Sequence, residues 1–179
     1  MSANPELLLP SPTSIRTICL LLQGKPAQQV LLGYKKTGFG AGKYTGIGGK
    51  VEAGESVRQA AVRELYEETG VQAFPDELFH AAQLTFLFPG QPDWSQVDHV
   101  FLLYNWRGEP QEGREVRPEW FLTHELPYPE MWSDARFWLP IVLAGQRLSL
   151  RFIFASDNEN IQEIFVETGQ FDVDEPLSS

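Results

Sequence analysis

Residues 49–71 read GKVEAGESVRQAAVRELYEETGV, and this stretch decides how the rest of the chain is read. Local rules predict a loop followed by a helix. Ser56 is placed to N-cap, Gln59 three residues later completes a capping box, and Gly70 offers a C-terminal stop. The residues between are good helix formers, rich in Ala, Leu, Glu and Arg. At about 3.6 residues per turn, Val57, Ala61 and Leu65 form an apolar stripe, and Glu64 and Glu68 lie along it. Glu67 projects to one side, still within reach of Glu64. An ordinary solvated helix would set its carboxylates opposite its apolar residues. Three carboxylates crowded on one partly buried edge repel one another and lose hydration, and Arg63 neutralises only one of them. A divalent cation is the better account. All-oxygen ligands favour a hard ion such as magnesium or manganese.

The fixed positions Gly49, Glu55, Arg63, Glu64, Leu65, Glu67, Glu68, Gly70 and Val71, at their spacing, resemble the signature box of the Nudix family without a departure. The resemblance implies an α+β fold, an α/β/α sandwich. It also implies an enzyme that hydrolyses a nucleoside diphosphate linked to another group, usually with magnesium.

The composition sets wider bounds. A chain of 179 residues, 42% of them hydrophobic, is expected to form one domain with a proper core. No apolar run approaches membrane-spanning length, and residues 18–22 (ICLLL) are far too few. The N-terminus shows neither a basic region nor a cleavage-like site, so the expected location is cytoplasmic. Cys19 is the single cysteine, which excludes an internal disulfide and reads as a core residue. The net charge is −10 and no basic run is longer than Lys35-Lys36, which opposes binding to a nucleic-acid polymer. A small phosphorylated ligand is compatible, because a metal and a few local cations reverse the sign inside one cleft. Nothing in the sequence fixes an oligomeric state, and a monomer suffices.

Along the chain, residues 1–13 carry Pro5, Pro10 and Pro12 and no periodicity, the pattern of a flexible arm. Residues 15–22 and 30–35 read as strands joined by a polar turn. Six glycines between 38 and 49 allow close approach of backbone to a ligand, and the loop leads straight into the acidic helix. It is expected to fix phosphates and metal. Residues 80–88, 97–106 and 116–122 read as further strands. A second helix is expected over 133–144, with Pro140 weakening or kinking it or marking a late start. Residues 148–155 and 160–167 suggest a closing hairpin, and the tail from 169 is acidic. The expected whole is a mixed sheet over 14–168 with the box helix and the second helix packed on it. His80, His99 and His124 show no ligand spacing and are given no role.

Four further segments narrow the resemblance. They are LLGYKKTGFGAGK at 31–43, EVRP at 115–118 followed by Trp120-Phe121, MWSD with FWLP between 131 and 140, and LRFIF at 150–154. Over nearly all of 15–167 the chain is similar to the MutT-like branch of the family, whose members hydrolyse oxidised purine nucleoside triphosphates such as 8-oxo-dGTP to monophosphate and pyrophosphate. The resemblance implies a metal shell of the Gly48 carbonyl, Glu64, Glu68 and Glu115, with Glu67 adjacent. It implies that Glu55 orients Arg63, that Lys35 meets the phosphates and that Trp132 stacks on the base. Phe39, Phe86, Phe88 and Trp138 would be apolar walls, and Asp134 would bond the base edge. Thr45 and Ala135 depart from the pattern: they stand where that branch reads the base with an Asn and a second Asp, and Thr45, still a candidate to contact substrate, lacks an amide's paired donor and acceptor while Ala135 offers neither. Glu67, Glu68 and Glu115 are each candidates to accept the proton of the attacking water. Two alternatives are another Nudix substrate, such as a nucleotide sugar or a dinucleoside polyphosphate, and a nucleotide sensor without catalysis. The intact glutamate set speaks against the sensor.

Overall fold

Alternation along β1, Ser14–Gln23, sets the architecture. Ile18, Leu20 and Leu22 enter one core, while Cys19 and Leu21 enter a second. A strand buried on both faces belongs in the middle of a sheet covered on both sides. The computed structural model, which describes residues 9–169, has that arrangement. The N-terminal arm up to residue 8 and the acidic tail from residue 170 lie outside the described residues.

The remaining strands are β2 (Gln29–Lys35), β3 (Tyr44–Thr45), β4 (Phe79–Leu87), β5 (Gln96–Leu103), β6 (Val116–Leu122), β7 (Leu148–Phe154) and β8 (Ile161–Val166). They form one mixed sheet in the order β3-β2-β1-β5-β4-β7-β8, with β6 also pairing β2. The β1–β5 and β4–β7 pairs are parallel, and the others are antiparallel. Helix α1 (Val57–Thr69) buries Val57, Ala60, Ala61 and Leu65 in the core that holds Cys19, Leu21 and Phe101. Helix α2 (Ala135–Leu143) buries Ala135, Trp138, Leu139 and Val142 in the opposite core, with Leu20, Val100 and Phe152. Each fully buried Leu, Val or Phe in these layers contributes roughly 1.5–3 kcal/mol relative to exposure, which anchors the helices. The fold is the expected α+β sandwich. Among the described residues, no helix is long and apolar enough to cross a membrane.

Three local features differ from expectation. β5 stops at Leu103 rather than running to Trp106, because the chain turns there and Arg107 pairs with Gln72 instead. α2 starts at Ala135, with Asp134 at its N-cap position. Pro140 stays within the helix because it lies on the exposed side, where the carbonyl it leaves unpaired is open to water. The glycine loop contains the short strand β3, made by pairing with Gly33 and Tyr34.

The site is positioned by what happens beside β1. β2 pairs with β1 only from Leu21↔Leu31 to Gln23↔Gln29. Along the other half of β1, the glycine loop takes the place of β2, bridging Cys19 to Ile47 and Arg16 to Lys50. The loop is thereby fixed between the sheet and α1.

Candidate active site

Helix α1 has the caps its sequence calls for. The Ser56 hydroxyl accepts from the Gln59 backbone N–H at 3.1 Å, the Gln59 side chain accepts from the Ser56 N–H at 2.8 Å, and Gly70 takes the left-handed conformation. These caps fix the register of the acidic residues. Arg63 is the hub: it donates to both Glu55 oxygens at 2.6 and 3.0 Å, to Glu64 at 3.0 Å, to Glu67 at 3.2 Å and to the Lys50 carbonyl at 3.1 Å. The Arg63 bonds hold the Glu55 carboxyl below its usual range, while those carboxylates strengthen the charge on Arg63. Arg63 therefore ties the helix to the loop and orients Glu64.

The loop approaches so closely that only glycine fits. A Cβ on Gly48 would lie 1.9 Å from the Thr17 carbonyl oxygen, and one on Gly49 would lie 2.4 Å from the Glu64 carboxyl carbon. Glu68 faces the same loop. Burial pushes its carboxyl up to about 7; the Lys35 charge lowers it, the Glu64 and Glu115 charges raise it, and the Gly48 N–H lowers it. Burial also raises Glu64, opposed by Arg63. Lys35, Gly48, Glu64, Glu68 and Glu115 are thus brought within one electrostatic neighbourhood, while Glu67 stays at its exposed rim. Among the described residues, no three acidic, histidine or cysteine side chains converge to coordination distance. The donor set nonetheless fits a hard divalent ion: half-buried carboxylates, a backbone carbonyl and no sulfur or imidazole.

From Lys35, Gly48 and Glu68 a cleft runs across the sheet to an aromatic end. Phe86, Phe88 and Trp138 line it from within the core and are buried. Phe88 stacks on Phe154 at 4.3 Å between ring centroids. Trp132 is half-buried; Phe39 lies nearly parallel to it at 5.3 Å, and Lys43 Nζ is 5.0 Å from its ring centre. Thr45 and Ala135 line the same cleft. Asp134 is buried and accepts from Trp138 Nε1 at 2.7 Å, and burial pushes its carboxyl up to about 6. Of the expected site residues, ten from Lys35 to Trp138 line this cleft, Gly48 and Glu68 among them, whereas Arg63, Glu64, Glu67 and Glu115 are not part of its lining.

Residues that the sequence reading passed over also line it. Arg16, Gln96 and Asp98 face the cleft, with Tyr44, Met131 and Phe154. Asp98 is buried and accepts from Gln96 Nε2 at 2.8 Å. Burial pushes its carboxyl up to about 7, with Arg16 opposing and Asp134 adding to the rise. The signal was present in the alternation of β5: Asp98 occupies the face that two and four residues later carries Val100 and Leu102. An acid on the buried face of a strand is rare unless it is paired or hydrogen-bonded.

Comparison with known proteins agrees with this geometry. A NUDIX domain matches residues 12–140. The oxidized purine nucleoside triphosphate hydrolase of Danio rerio is 42% identical over 139 residues, 78% of this chain and 86% of that one. The protein of the same name from Mus musculus is 36% identical over 161 residues, 90% of this chain and 99% of that one. Among solved structures, a MutT protein from Bacillus halodurans shares the fold with a TM-score of 0.73 at 23% identity, covering 86% of this chain and 97% of that one. The box, the cleft and these matches together place the chain in the Nudix family, as a Nudix hydrolase.

Proposed function

We propose that this hydrolase converts oxidised or otherwise modified purine nucleoside triphosphates, 8-oxo-dGTP among them, to monophosphate and pyrophosphate with magnesium. The observation that carries the reading is the continuity of the cleft. Lys35, Gly48 and Glu68 line one end, and Phe88, Trp132 and the buried acids line the other. A triphosphate has that polarity: its charge at one end, a flat apolar ring with a polar edge at the other. The names of the two vertebrate relatives support the same substrate class.

Each group has a definable task. Glu64, Glu68, the Gly48 carbonyl and Glu115 would hold the metal, with Glu67 beside them. A divalent ion there supplies charge neutralisation at the phosphate oxygens and activation of water. Arg63, anchored on Glu55, keeps Glu64 oriented. Lys35 offsets phosphate charge. Glu67, Glu68 and Glu115 are the carboxylates placed to accept the water's proton. Trp132 and Phe88 give the base apolar faces, and Asp134 meets its edge.

Incubating the protein and magnesium with 8-oxo-dGTP, dGTP, a nucleotide sugar and a dinucleoside polyphosphate, and measuring kcat/KM, tests the reading. The expected result is the highest value for 8-oxo-dGTP, with stoichiometric pyrophosphate. A higher value for the sugar or the dinucleotide, or tight binding with no hydrolysis, would overturn it.

A further inference from the structure

Asp98 and Asp134 reach the aromatic end of the cleft from different elements, Asp98 from β5 in the sheet and Asp134 from the start of α2. Both are nearly inaccessible, at 6% and 5% exposure. Among the described residues, each carboxyl has one side-chain hydrogen bond, from Gln96 to Asp98 and from Trp138 to Asp134. The Trp138 indole has no second N–H to give. The two acids feel one another, since the Asp134 charge raises the Asp98 carboxyl. Arg16 stands in register with Asp98 on the neighbouring strand β1 and lowers it, without an ion pair between them among the described residues. Leu84, in register on the other side in β4, brings no charge. Two buried acids that line a ligand cleft with a single side-chain hydrogen bond each are costly unless the ligand satisfies them. What satisfies adjacent carboxyl oxygens is a pair of adjacent N–H donors.

Resting on the purine nucleotide reading above, we propose that Asp98 and Asp134 together read a purine edge bearing two neighbouring N–H donors, the N1–H and 2-amino edge of a guanine-type base, and that Asp98 is a specificity-determining residue. Above about pH 7, where both carboxyls are ionised and accept only, an adenine-type base presents a ring nitrogen lone pair at that edge, which the two carboxylates repel. The carbonyl at C6 of a guanine-type base is an acceptor beside the two donors. The Thr45 hydroxyl and the Arg16 guanidinium, lining the same cleft, are donors of the kind it needs. Burial holds the two carboxyls near about 7 and about 6, so the pair sheds its residual proton readily when N–H donors arrive. Ala135 beside Asp134 lines the cleft with no side-chain polar atom.

The test uses nucleosides without metal, so that it reads base recognition and not hydrolysis. Calorimetric titration with 8-oxo-deoxyguanosine, 8-oxo-deoxyadenosine and 8-oxo-deoxyinosine should show the guanine-type nucleoside binding ~10-fold or more tightly than either other, the scale of one hydrogen bond to a charged group. Asp98→Asn, of the same shape but with a donor replacing an acceptor, should reduce the guanine-to-adenine ratio by ~10-fold, and Asp134→Asn should act in the same direction. A ratio unchanged within about twofold in Asp98→Asn, with the ratio lost in Asp134→Asn, would overturn the role of Asp98. Should Asp98→Asn fail to fold, the wild type decides: equal binding of 8-oxo-deoxyguanosine and 8-oxo-deoxyinosine overturns the proposal, because the 2-amino donor is then unread. Preference for a nucleotide sugar in the hydrolysis panel, with purine discrimination intact here, would overturn the functional reading and leave this one standing. Absence of any purine nucleoside binding overturns both.

Discussion

At one end of the cleft, Glu64, Glu67 and Glu68 lie on a single helix, and Glu64 and Glu67 share Arg63, which also clamps the loop through Glu55 and the Lys50 carbonyl. At the other end, Asp98, Asp134, Phe88, Trp132 and Phe154 arrive from separate strands and from the start of α2. The first end is polar and hydrated at its rim, with its charges partly compensated by one arginine. The second is lined mostly by buried residues, and its acids have no ion pair among the described residues. The difference follows from the tasks. A phosphate-and-metal end needs charge in a fixed array, which consecutive turns of one helix supply. A base end needs a shaped apolar slot with a few polar atoms, which only the tertiary fold assembles. Changes at the two ends should therefore fail in different ways.

The largest effect is expected at the helix. Glu68→Gln keeps the shape and removes a charged oxygen ligand, so turnover of 8-oxo-dGTP with magnesium should fall by at least ~10²-fold. Steady-state kinetics at saturating metal checks this, and near-full activity would take Glu68 out of the metal array. A smaller effect is expected in the slot. Trp132→Ala should weaken nucleotide binding by about 1–3 kcal/mol, the usual worth of a base stacked on an aromatic ring, and Trp132→Phe should recover part of it. Equal KM values for all three proteins would make Trp132 a packing residue only.

The same contrast explains what the sequence disclosed. The helix end was legible because its information is local: Ser56, Gln59 and Gly70 mark the boundaries, and the spacing of Val57, Leu65, Glu64 and Glu68 fixes which face is acidic. The apolar runs at 15–22 and 30–35 were legible as strands for the same reason. The base end was legible only by resemblance, and incompletely. Asp98 becomes a cleft residue through the parallel pairing of β5 with β1 and the packing of α2 above both, contacts between residues far apart in sequence. The start of α2 was placed early because Ser133 and Asp134 both look like helix caps. Asp134 does not cap with its side chain, since its carboxylate is bonded to Trp138 Nε1 one turn on.

A stability comparison sharpens the contrast further, at the smallest scale. The Asp98 carboxyl is raised on folding, so its contribution to stability is full below its unfolded value near 4 and is lost as pH rises through about 7. Asp98→Asn removes that loss. The variant should be more stable than wild type by roughly 1–3 kcal/mol at pH ~8, with the advantage vanishing below pH ~4. Glu67→Gln, at the exposed rim, should change stability by no more than ~0.5 kcal/mol at either pH. Denaturant unfolding at the two pH values reads both variants. A destabilised Asp98→Asn at high pH would show that the Asp98 charge is compensated within the protein.

Whether the two ends act separately is read most directly from the dissociation constant of 8-oxo-dGMP for Glu68→Gln in the absence of metal. Lost turnover with affinity unchanged, or tighter because a negative charge near the phosphate is gone, is the predicted result. Affinity weakened by ~10-fold or more would contradict it, since a loss of about 1.4 kcal/mol in binding would mean that Glu68 also supports the base slot and that chemistry and recognition are one structural unit.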